Sequence, residues 1–138
     1  NIKNQLFKNK ELRSDYRNKI IFLEEVENIN DYFPLIDLHV LTSSYGEGFP
    51  NVILETLSNK IPNISSDVGD AKIIINNNKL IFKNLNKYDF INITKQVIFK
   101  IKDKEEDFYN YVNKRSAELT KEYSIEKMIS NYRKIWDF

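Results

Sequence analysis

The sequence predicts an α/β protein, a parallel sheet with flanking helices, and three observations predict it. Short β-branched runs alternate with helix-patterned stretches between Lys19 and Phe82, the rhythm of strands joined by crossover helices. The three glycines, Gly46, Gly48 and Gly69, all fall in that region, where the backbone must take unusual angles or admit a close approach. Beyond Phe82 the apolar residues recur at helical spacing.

The elements follow in order. "NQLFKNKELRSDYRN" is polar, rich in helix formers, and predicts a solvent-exposed helix. "KIIFLEE", Lys19 to Glu25, is short, apolar and β-branched, and predicts a buried strand. "NINDYFPLI" predicts a short helical turn before Asp37, and "DLHVLTSS" a second strand. Pro50 is expected at the first helical position of a helix running to about Asn59, because the N–H that proline lacks is not needed there. "IPNISSD" predicts a third strand leading into the loop around Gly69, and "KLIF", Lys79 to Phe82, a fourth. Phe90, Ile91, Ile93, Val97, Ile98 and Ile101 form a helical stripe. A charged amphipathic helix is expected from about Lys104 to Tyr123, with Glu105 and Glu106 suiting the positive end of its dipole. Ser124 reads as the N-cap of a last helix carrying Ile125, Met128, Ile129, Tyr132, Ile135 and Trp136. No repeat or Pro/Gly linker divides the chain, so residues 1–138 are expected to be a single domain. A doubly wound nucleotide-binding unit opens on a strand and a phosphate loop. This chain opens on a helical stretch, so it reads as a partial domain without its first strands.

Composition narrows the function. The chain is 41% hydrophobic and 30% charged, as folded soluble domains are. A formal net charge of +1 gives no argument for nucleic acid as a partner. The absence of cysteine excludes disulfides, thiolate metal sites and cysteine nucleophiles. It also fits a reducing compartment. No run of about 18 apolar residues is present, and the N-terminal stretch lacks a signal-type apolar core. His39, between Leu38 and Val40, is expected to pack rather than catalyse. Tyr109, Tyr111, Tyr123 and Tyr132 are expected at helix contacts. Asp67 and Asp70 around a turn are too few ligands for a metal, and none is expected.

The chemistry concentrates in "SYGEGFPNVILE", Ser44 to Glu55. A loop between a strand and a helix lies beyond the C-terminal end of a parallel strand, where ligands bind in open sheets. The helix start offers the free N–H groups of Asn51 and Val52 and the positive end of a dipole, which suits a phosphate. Gly48 lets the backbone approach a ligand, Glu47 projects from the loop, and Glu55 lies about one and a half turns into the helix. A carboxylate there can accept from both hydroxyls of a ribose. The same residues also describe a turn followed by a well-started helix. Glu47 and Glu55 as the two carboxyls of a glycosidase are a further reading, which leaves the helix-start anion site unused.

"EGFPNVILE", two glutamates with seven residues between them, resembles the E-x7-E motif of the large retaining GT-B glycosyltransferase family, glycosyltransferase family 4 or glycosyl transferases group 1. The likeness extends from "KIIFLEEVENINDYFPLIDLHVLTSSYGEGFPNVILETLSNKIPNISSDVGD" to the closing "EYSIEKMISNYRKIW". The resemblance implies the Rossmann-like, C-terminal donor-binding half of a GT-B fold, transferring a sugar with retention from a nucleotide-diphosphate sugar to a glycan or lipid-linked acceptor. By the same resemblance Glu47 is catalytic, beside the donor sugar. Gly48 and Phe49 present backbone to its hydroxyls, Asn51 and Val52 cradle the diphosphate, Glu55 holds the ribose, and Val26 lines the base. It further implies no cofactor or metal, no nucleic-acid partner, and a role in polysaccharide biosynthesis. A cytoplasmic location is implied as well, with the full-length enzyme free to associate with a membrane surface. The chain departs from the family pattern at Glu24, Lys60 and Asp70, where glycine is common, and no part of it matches the family's basic diphosphate-binding pair. The isolated chain is therefore expected to be inactive, and a non-catalytic nucleotide-sugar-binding or assembly module is the other reading of the same residues.

Overall fold

A computed structural model of the chain describes Tyr16, residues 19–23 and residues 25–136. The chain divides into two compact units, residues 1–31 and residues 32–138.

In the first unit Tyr16 is helical, and the rest of the expected N-terminal helix lies outside the described residues, as does Glu24. Among the described residues of Lys19 to Glu25, the expected strand is not formed. Residues 20–23 have no regular structure, and Ile21 is 83% exposed. A β-branched run becomes a strand only where a neighbour completes its ladder. No described residue of this run belongs to the sheet. Further on, the Asn28 side chain gathers a turn. Its Nδ2 donates to Asp31 Oδ1 at 2.9 Å, and its Oδ1 accepts from the Asn30 N–H at 3.2 Å. The expected helical turn is a 3-10 helix, Ile29–Leu35.

The second unit carries a three-stranded parallel sheet flanked by helices. Its elements are β1 (His39–Leu41), α1 (Asn51–Ser58), β2 (Asn63–Ser66), α2 (Ala71–Ile75), β3 (Ile81–Phe82), α3 (Lys87–Lys102), α4 (Glu106–Glu122) and α5 (Ile125–Trp136). The strand order is β1-β2-β3, with Val40 opposite Ile64 and Ser65 opposite Ile81. All four residues of β2 are buried, as expected of the middle strand of a parallel sheet covered on both faces. Ile53 and Leu57 of α1, Ile64 of β2, Ile74 and Ile75 of α2 and Leu119 of α4 are sealed in one core. Each such side chain contributes about 1.5–3 kcal/mol by leaving water. α5 buries none of its residues. It is capped as its sequence predicts, with the Lys127 N–H donating to Ser124 Oγ at 3.1 Å.

Two helices end where the sequence gives no glycine signal. At the end of α1, Lys60 takes φ +62°, its N–H reaches Leu57 O at 2.9 Å, and the Ile61 N–H reaches Thr56 O at 2.9 Å. This is a Schellman ending with lysine in the left-handed position that glycine usually fills. α3 ends the same way, with Lys104 at φ +51° and the Glu105 N–H on Lys100 O at 3.0 Å. Asp70, by contrast, has φ −87°, which requires no glycine.

At the N-terminal ends of the strands, a polar knot joins β1, α1 and β2. Asn63 Nδ2 donates to Ile61 O at 2.8 Å, and Asn63 Oδ1 accepts from Thr56 Oγ1 at 2.9 Å. The oxygen of Asn63 therefore faces His39, whose Nδ1 lies 2.6 Å away and must be the donor. Burial lowers the His39 pKa from the usual 6.5, and the Asn63 bond opposes this only in part. The unfolded chain therefore takes up the proton before the folded one. The sign follows: this contribution to stability is complete above the unfolded value and is lost as pH falls below it. His39 is the only histidine in the chain. Urea midpoints should thus be lower at pH 5.5 than at pH 7.5, and His39→Gln should flatten that slope. An unchanged slope in the variant would remove His39 as its source.

Candidate functional site

The segment after β1 leaves the C-terminal edge of the sheet, and the other two edge loops hold it there. Ser66 Oγ, at the end of β2, donates to Ser43 O at 2.5 Å. The Asn84 side-chain amide, just after β3, donates to Ser44 O. The Asp70 N–H, at the entrance to α2, donates to Gly48 O at 2.9 Å. Glu47 stands in this fixed loop, half-buried, and accepts a bond from Ser43 Oγ at 2.8 Å. One carboxylate oxygen is thus tethered, which sets the direction of the group.

Gly69 meets the same loop from the other side. It has φ +46°, and a Cβ built on it would lie 2.1 Å from Gly48 O and 2.5 Å from Glu47 O. Only a residue without a side chain lets the two loops touch. Gly48 differs, because a Cβ added there meets nothing within 4 Å. Its open side is where the sequence expects backbone to approach a ligand. Phe49 packs its ring against Tyr123, at the end of α4, with centroids 5.3 Å apart.

α1 starts directly after. Pro50 is buried and precedes the helix as its N-cap, at φ −74° and ψ 90°, rather than filling the first helical position. Its carbonyl accepts the Ile53 N–H at 3.0 Å, so the proline still closes the first turn. The Asn51 and Val52 N–H groups have no acceptor among the described residues. They are the unsatisfied donors that a helix start presents. Ile53, Thr56 and Leu57 face the core. Asn51 and Glu55, four residues apart, are both exposed and share the open face. An anion on the amides and a hydroxyl-bearing group one turn along would lie on that single face.

The structure thus brings Glu47, Gly48 and Phe49 together in one pinned loop, and Asn51, Val52 and Glu55 together at one helix start. Val26 belongs to the first unit, half-buried and in no regular element. Asp67 pairs with the Lys72 ammonium at 2.5 Å, and the described residues contain no cluster of three or more metal-ligating side chains. Ser43, Ser66, Gly69 and Asn84 are the residues holding the candidate site that sequence reasoning missed. Gly69 had a signal in its rarity, whereas Ser66 and Asn84 reach Ser43 and Ser44 over 23 and 40 residues of separation, which no local pattern reveals.

Residues 3–99 match the family model of glycosyl transferases group 1. No curated protein matches the chain.

Proposed function

The chain belongs to the glycosyl transferases group 1 family, and we propose that it forms the donor side of a retaining transferase that uses a nucleotide-diphosphate sugar. The observation that carries this reading is the single open face of α1, where two N–H groups without an acceptor among the described residues precede the exposed Glu55. The diphosphate lies at the Asn51 and Val52 amides, favoured by the helix dipole. Glu55 accepts from the ribose hydroxyls. Gly48 and Phe49 offer backbone to the sugar, and Glu47 stands by the reacting carbon. The amides stabilise charge that grows on the departing diphosphate, so this reading needs no metal or other cofactor.

The acceptor is a glycan or a lipid-linked saccharide, which places the reaction in polysaccharide synthesis on the cytoplasmic side, at or near a membrane surface. Among the described residues no helix is long and apolar enough to cross a membrane. Binding without transfer is the expected behaviour of the isolated chain.

The test is Glu55→Ala in the full-length protein, titrated with UDP, GDP and ADP. Loss of a charged hydrogen-bonding partner costs about 1.5–3 kcal/mol, so the preferred diphosphate should bind ten- to a hundredfold more weakly. Equal affinity in a folded variant would remove Glu55 from the site. A protein that ignores all three diphosphates would instead favour glycoside hydrolysis, and one that binds them but never transfers sugar would be a binding module.

A further inference from the structure

The helix α4 reaches the C-terminal ends of both helices that start at the site. Ser116 Oγ donates to Ser58 O, the last residue of α1, at 2.9 Å. Arg115 Nε and Nη2 donate to Ile74 O and Ile73 O of α2 at 2.7 and 2.8 Å. The Tyr111 hydroxyl donates to Ile75 O, the last residue of α2, at 2.6 Å. Arg115 is only 7% exposed, and its remaining nitrogen Nη1 donates to Glu118 Oε2 at 3.0 Å. A guanidinium is costly to bury unless its donors are used, and here all three nitrogens are bonded. A surface lysine or a core leucine would serve simple packing at lower cost. The guanidinium instead satisfies the carbonyls that a helix end leaves without partners. α2 has five residues and makes few bonds of its own, so these external bonds decide where it lies.

The other end of α2 bears on the loop of Glu47. The Asp70 N–H holds Gly48 O, and Gly69 abuts the Glu47 and Gly48 carbonyls. We propose that Tyr111 and Arg115 are positioning residues for the donor sugar: they fix α2, and α2 fixes the Glu47–Gly48 loop. This rests on the donor reading given above. The diphosphate contacts, at the start of α1, are anchored separately through Ser116. Weakening the α2 anchors therefore loosens the sugar end of the site and spares the diphosphate end.

The test uses the full-length protein with Tyr111→Phe and Arg115→Met, the first removing a single hydroxyl. Hydrogen exchange reads the device directly. The Asp70 amide should exchange at least about tenfold faster in either variant, while the amides of β2 keep their protection. Titration with UDP, GDP, ADP and their glucose or mannose derivatives reads the consequence. The affinity gained from the sugar should fall severalfold, with affinity for the bare diphosphate unchanged. Unchanged Asp70 exchange, or equal acceleration of every amide, would overturn the proposal, as would equal loss of both ligands. If Arg115→Met does not fold, Tyr111→Phe decides by the same readings. Wild-type protein that binds no nucleotide overturns the donor reading and the sugar assignment with it, whereas the exchange result stands independently on whether α4 governs the loop.

Discussion

Glu47→Gln in the full-length protein should cut sugar transfer by about 10²–10³-fold, the order seen when one preorganised charge-stabilising group is removed from an active site. The substitution keeps size and hydrogen bonding. Ser43 Oγ can still donate to the amide oxygen at the place where it now meets Glu47 Oε1 at 2.8 Å. The carbonyls of Ser43, Ser44 and Gly48 hold the loop whatever stands at position 47. The melting temperature should therefore move little. Only the charge is lost. In the proposed reaction, positive charge grows at the anomeric carbon as the diphosphate departs, and a fixed carboxylate lowers the energy of that state more than that of the bound donor. The loss should consequently fall on kcat, with the KM for the donor close to wild type. A variant that transfers at the wild-type rate would exclude Glu47 from the chemistry. A raised KM with unchanged kcat would make it a binding residue instead.

The order of β1, α1, β2, β3, α3, α4 and α5 was legible because it rests on local periodicity, whereas α2, only five residues long, was read as part of the loop around Gly69. Helical spacing in α3, α4 and α5 and the buried runs of β2 and β3 each declare themselves within a few residues. The failure at Lys19 to Glu25 shows the limit. "KIIF" has the composition of a strand, but a strand also needs a partner, and the partner is a nonlocal fact. The ends of α1 near Asn59 and of α3 before Lys104 were legible from the pattern, although not from glycine. Lys60 and Lys104 occupy left-handed positions where glycine would have signalled a stop, and they bear the strain because the Schellman bonds hold the backbone. The site divides along the same line. Glu47 through Glu55 could be found because the loop, the helix start and both acids are contiguous, and because the run resembles a family motif. What fixes those residues in space comes from Ser66, Gly69, Asn84 and the distant α4, through bonds that no spacing rule encodes.

The three glycines can be told apart by giving each a methyl group. Gly69→Ala should have the largest structural effect. Its φ of +46° costs an alanine about 1–2 kcal/mol by itself. The new Cβ would also stand 2.1 Å from Gly48 O and 2.5 Å from Glu47 O, both of them backbone atoms with no side-chain freedom to yield. The two loops must separate, and the Asp70 N–H to Gly48 O bond must lengthen or break. A displacement of about 1 Å in a catalytic group costs on the order of 10²-fold in rate, so Gly69→Ala should lose both stability and transfer. Gly46→Ala should show strain alone, because φ is +85° but nothing lies within 4 Å of the added carbon. Gly48→Ala should melt like wild type, since its surroundings are open. In the donor reading that open space belongs to the sugar, so the same variant should bind the bare diphosphate normally and the sugar nucleotide poorly. Thermal melting with paired titrations of diphosphate and sugar nucleotide separates the three cases. If Gly69→Ala melts and transfers like wild type, the contact between the two loops does not hold the site. If Gly48→Ala binds the sugar nucleotide normally, the sugar lies elsewhere, and the glycines flanking Glu47 shape a turn rather than a binding surface.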